Sequence, residues 1–191
     1  MKNANKNVFI ALFASLIAAS GFIAIGTGAF IVPIVLQNMM VLLAAGFLGW
    51  RGALAVLVFI VGGALGLPVF AGGRGGIGVL FATGGGYIVG YFFASLFVGS
   101  ILGMPKPLEK NVPISLLKIA LALFFGFIII YIFGVLRLSQ IIMKAQNLPF
   151  LESLKAAIIA GVIPYLLGDL IKLILGVFLI RKFRPQVCRY L

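Results

Sequence analysis

Histidine is absent from this chain, cysteine occurs once, at Cys188, and aspartate and glutamate together number three. Without histidine there is no Ser-His-Asp or Cys-His nucleophile system, and a single cysteine allows neither an internal disulfide nor a cysteine-rich zinc site. Charged residues make up 9% of the 191, against about 25% in an ordinary soluble domain. No GxxxxGK[ST] motif occurs, so the chain carries no phosphate-cradling ATP loop of that type. No cofactor or metal site is expected.

Hydrophobic residues fill 63% of the sequence, more apolar surface than a water-soluble fold can bury. A hydrocarbon layer of about 30 Å needs about 20 helical residues, and the length accommodates six such spans. The apolar windows are 8–25, 33–49, 52–67, 81–102, 113–136 and 164–180. Pro33 opens the second, Trp50 and Arg51 flank its end, "MPKPLEK" stops the fourth and Pro164 opens the last. Residues 138–162 predict short interfacial helices or a re-entrant hairpin, with a seventh span as the competing count. The window 8–25 also has the form of a signal peptide behind Lys2 and Lys6, but it is longer than an ordinary h-region. The expected fold is a single-domain, all-α membrane protein of six transmembrane helices.

The net charge of +12 is not a nucleic-acid footprint, because the basic residues punctuate apolar segments instead of sharing one polar face. They report orientation. With six spans and the N-terminus inside, Lys2, Lys6, Arg51, Lys106, Lys110, Arg181, Lys182, Arg184 and Arg189 face the cytoplasm, while Arg74, Arg137, Lys144 and Lys155 face out. Lys118 and Lys172 fall within spans, Lys118 near an end where it can snorkel. Both termini are expected in the cytoplasm, and the plasma membrane is the expected location.

Asp169 and Lys172, in "GDLIKLILG", are charges at bilayer depth three residues apart, on one helix face with Tyr165. They predict a polar site; the alternative is an ion pair that only fixes packing. Gln37 and Asn38 form a second polar island whose amides suit a ligand or an interhelical bond. In "PVFAGGRGGIGVLFATGGGYIVG", Gly73, Gly75 and Gly78 match GxGxxG, but no βαβ unit surrounds them. The loop reads instead as an outer lid, or as a plain linker, with Arg74 supplying a fixed charge and Thr83 and Tyr87 offering hydroxyls at the entry to the fourth span. On the first span, Ala11, Ser15 and Ala19, widened by Ala14 and Ala18, form a small-residue stripe for close helix approach, within the chain or to another subunit.

Taken together, "VPIVLQNMMVLLAAGFLG", "GALGLPVFAGGRGGIGVLFATGGGYIVGY" and "GVIPYLLGDLIKLILG" resemble the BioY family, the biotin-binding S components of energy-coupling factor transporters. One departure is Ala82, where the family usually has proline before Thr-Gly-Gly. The resemblance implies a partner complex of one transmembrane coupling protein (the T component) and two cytoplasmic ATPases, docked through Ala11, Ala14, Ser15 and Ala18. It also implies biotin as ligand. Asp169 is then expected to accept from the ureido N–H groups, Lys172 and Asn38 to donate to its carbonyl, and Arg74 to pair with the carboxylate. The reverse orientation, with Lys172 on the carboxylate, stays open. Phe70, Tyr87 and Tyr165 are expected to pack the bicyclic ring, with Gly73, Gly84, Thr83 and Gln37 beside it. An S component for another vitamin and a stand-alone channel or facilitator are the competing functions.

Overall fold

A computed structural model describes residues 2–25, 34–105 and 114–189. Among the described residues eight α-helices run in chain order: α1 (Lys2–Ser20), α2 (Gln37–Leu48), α3 (Arg51–Ala64), the short α4 (Gly78–Phe81), α5 (Gly85–Leu102), α6 (Leu116–Gln146), α7 (Phe150–Gly161) and α8 (Leu166–Val187). A 3-10 turn, Ile163–Tyr165, links the last two. Two-residue strands, β1 (Ala24–Ile25) and β2 (Ile34–Val35), pair antiparallel between α1 and α2.

Beyond Gln37 and Asn38 at its start, helix α2 is apolar on every side and sits at the centre, against α1, α3, α5, α6 and α8, as such a helix must. Small residues allow the close approaches. A Cβ on Gly52 would meet the Ala45 backbone at 2.5 Å, and one on Gly99 would meet the Gly49 carbonyl at 2.5 Å. Helix α8 has the opposite character: it buries Asp169, Gly176, Ile180 and Arg184 and turns Leu166, Leu167, Leu170, Ile171, Ile174, Leu175 and Phe178 outward. An apolar belt of that size is compatible only with lipid as the surrounding solvent.

Helices α5 and α6 and the run Phe150–Val187 are long and apolar enough to cross a membrane, whereas α2, α3 and the segment Asn5–Ser20 of α1 are apolar but shorter. Helices α1, α3 and α6 lead toward one end of the bundle, which carries the glycine-rich loop; α2, α5 and α8 lead back to the tail end. At the tail end, buried Arg184 donates to the carbonyls of Leu102 (3.0 Å) and Gly103 (2.6 Å). It thereby satisfies acceptors that the end of α5 leaves without helical partners.

Several boundaries differ from those expected. The fifth window stops at Leu136, yet α6 continues unbroken to Gln146, ending where Asn147 turns left-handed (φ 52°) just ahead of Pro149. Hydropathy falls at "RLSQ", but helix propensity does not, and Leu138 and Ser139 stay buried. Residues 138–162 therefore hold the end of α6, a short turn, and one helix, α7, packed back against α6. The last window ends at Ile180, but α8 runs on to Val187 through Pro185. The expected starts at Pro33 and Pro113, and Lys106 and Lys110, lie outside the described residues.

Candidate substrate-binding site

The polar groups singled out on different segments converge at the loop end. Lys172 Nζ, near the start of α8, lies 2.8 Å from Asp169 Oδ1 across one helical turn. It also donates to the Val35 carbonyl (2.8 Å) and Asn38 Oδ1 (3.1 Å), so the three ammonium protons have three oxygen acceptors. Asn38 Nδ2 in turn donates to Asp169 Oδ1 at 3.0 Å, and the Tyr131 hydroxyl of α6 donates to Asp169 Oδ2. Charges this far from water are tolerated only when compensated, and here three helices and β2 supply the compensation.

This cluster floors a cavity lined by Val35, Asn38, Tyr87, Tyr91, Ile130, Tyr131, Tyr165, Asp169 and Lys172. A second cavity, bordered by Gln37, Phe70, Ala71, Arg74, Val79, Ala82, Gly84 and Ile88, shares Val35, Tyr87 and Tyr91 with it. The three shared side chains make the two neighbouring arms of one region, polar at its floor and mostly apolar elsewhere, the usual composition of a small-molecule pocket. Tyr87 and Tyr131 pack edge to face, 6.4 Å between centroids, and the Tyr87 hydroxyl donates to the Gly161 carbonyl at 2.9 Å.

The glycine-rich loop roofs the second arm. Phe70 is its anchor, with the ring fully buried, packed edge-on against Phe59 and seated over Gly63, where a Cβ would come within 2.3 Å of it. Between Phe70 and Arg74 the chain doubles back in a tight bridge through Gly72 and Gly73, both at φ 73°. The Arg74 side chain is exposed, its Nε donating to the Ala71 carbonyl at 3.0 Å.

Of the residues expected at the site, Asn38, Asp169, Lys172, Tyr87 and Tyr165 line the arm at the cluster, and Gln37, Phe70, Arg74 and Gly84 line the arm under the loop. Gln37 has a further engagement: its Nε2 donates to the carbonyls of Val69 (2.7 Å) and Ile17 (3.3 Å), tying α2 to the loop and to α1. Gly73 faces Phe22, and Thr83 is half-buried; neither belongs to either cavity lining. The sequence reading missed Tyr91 and Tyr131. Tyr131 lies in the apolar run "FIIIYIFG", where its buried hydroxyl needs a partner, and that need was the signal available.

The stripe on α1 divides. Ala11 and Ser15 are exposed, Ser15 Oγ bonding back to the Ala11 carbonyl at 2.9 Å. Ala14 is buried in the core and Ala18 packs against it. The first pair is on the free face of the helix; the second serves packing within the chain.

A family model described as the BioY family matches residues 1–189. The "Biotin transporter BioY" of Rhodobacter capsulatus is 38% identical over 189 residues, covering 95% of this chain and 96% of its own length. That of Lactococcus lactis subsp. cremoris is 33% identical over 156 residues, covering 81% and 77%. Among solved structures, the S-component for biotin from an ECF-type ABC transporter superposes with a TM-score of 0.76 at 29% identity, over 95% of this chain and 92% of that one.

Proposed function

The chain belongs to the BioY family, and we propose that it captures biotin at the loop end of the bundle and delivers it across the membrane as the S component of an ECF transporter. The observation that carries this reading is the Asp169–Lys172–Asn38 cluster, closed by Tyr131, at the floor of a cavity roofed by the glycine-rich loop. Biotin's ureido ring presents two N–H donors beside one carbonyl. Asp169 offers an acceptor for the N–H groups, and Lys172 and Asn38 offer donors for the carbonyl. Because Lys172 already has three acceptors, the ligand carbonyl replaces one of them, the Val35 oxygen being the neutral one outside the side-chain cluster. Phe70, Tyr87 and Tyr165 flank the apolar ring, Gly84 admits it closely, and Arg74 receives the carboxylate at the mouth.

In this reading six helices span the bilayer, the loop between α3 and α5 is an outer lid, and both termini are cytoplasmic, in keeping with the excess of basic residues at the tail end. Energy comes from two ATPases through a T component that meets α1 on Ala11 and Ser15. Competition binding to the purified chain tests the ligand: labelled biotin is displaced by unlabelled biotin and not by thiamine or riboflavin. Displacement by another vitamin at equal concentration, or a biotin Kd weaker than about 1 μM, refutes the assignment.

A further inference from the structure

On the flank away from the biotin cavity, an open groove lies between the end of α4, the start of α5 and α6. Its walls are Phe81, Val89, Phe133 and Leu136, and Arg137 and Gln140 stand at its head. We propose that this groove seats one phospholipid, with the headgroup phosphate on Arg137 and an acyl chain along the apolar walls. The guanidinium has donors to offer. Nη2 donates to the Phe81 carbonyl, Nη1 reaches Gln140 Oε1 only at 3.5 Å, and the buried Nε has no partner. Among the described residues the single ion pair is Asp169 with Lys172, so none of them gives Arg137 an acidic counter-ion.

Depth agrees with charge. Arg137 follows Leu116, the first residue of α6, by about 32 Å of helix, one hydrocarbon thickness, which places the guanidinium at phosphate level. Toward the tail end, the same flank exposes Ile132, Phe93 and Phe125, a surface for acyl chains. A phosphate diester beside Arg137 neutralises the cation and accepts charge-assisted hydrogen bonds. Since Nη2 also holds the Phe81 carbonyl at the end of α4, the bound lipid steadies the base of the glycine-rich loop.

The test titrates the full-length chain, purified in detergent, with dioleoylphosphatidylglycerol or dioleoylglycerol and counts adducts by native mass spectrometry. One phospholipid is retained per chain, dioleoylglycerol is not, and millimolar inorganic phosphate leaves retention unchanged. Arg137→Gln weakens retention about tenfold, as loss of a charged donor should. Val89→Trp does the same by filling the groove while leaving the guanidinium in place, and its unaltered biotin affinity certifies the fold. Equal retention of dioleoylglycerol, displacement by inorganic phosphate, or unchanged retention in Val89→Trp overturns the proposal.

Discussion

Asp169 takes its bonds from three helices, and each side chain around it has a separable effect. The Tyr131 hydroxyl fixes the orientation of the carboxylate through Oδ2. Tyr131→Phe keeps the ring's edge-to-face packing on Tyr87 and removes only that donor, a bond to a charged group worth about 1.5–3 kcal/mol. Biotin affinity is expected to fall about tenfold or more by equilibrium dialysis, and the melting temperature to drop by several degrees, since the same bond stabilises the empty fold. Gly63 acts through shape. In Gly63→Ala the new methyl overlaps the Phe70 ring, an overpacking that costs about 1–3 kcal/mol, so the protein melts lower and binds biotin more weakly. A Gly63→Ala variant with unchanged melting and affinity would show that the seat of Phe70 is not tight.

The charged pair was legible in the sequence because lone charges in an apolar run need a reason, and the amides of Gln37 and Asn38 stood out likewise. Tyr131 and Tyr91 were not, since a tyrosine in an apolar helix does not disclose which neighbour its hydroxyl meets. Nor did the sequence separate Gln37 from Asn38: adjacent residues on a helix point about 100° apart, and only the packing shows that one turns to the charged pair and the other to α1 and the loop.

Among the helices, α1, α2 and the glycine-rich loop behave as one linked unit. Gln37 bridges Ile17 and Val69, and the Gly72 N–H donates to the Gly21 carbonyl at 3.0 Å, so the loop is fastened to the end of α1 by side chain and backbone together. Gln37→Leu leaves two buried carbonyls without that donor, at about 1–3 kcal/mol. The variant is expected to melt lower and to expose the amides of residues 69–76 to faster hydrogen exchange; exchange unchanged there would show that the loop holds itself. Helix boundaries were legible where glycine or proline punctuated them, as at Gly49 and Gly103, both left-handed in φ. They were misjudged where a helix outlasts its apolar stretch, as α6 does after Leu136 and α8 after Ile180.

Across the whole molecule, an α2 that is apolar beyond Gln37 and Asn38 at the centre and an α8 that is polar inside and apolar outside make a bundle inverted relative to a soluble one, with Asp169, Lys172 and Arg184 turned inward and the leucines of α8 facing lipid. Composition alone announced this, because 63% hydrophobic residues leave no polar surface to face water. The central claim is that the Asp169–Lys172 pair reads the ureido ring. Equilibrium dialysis of labelled biotin against the wild-type chain and the double variant Asp169→Asn, Lys172→Met tests it, because removing both charges leaves neither one buried alone. The account predicts a loss of affinity of about a hundredfold or more with the melting temperature nearly kept; a double variant that binds biotin as tightly as the wild type contradicts it.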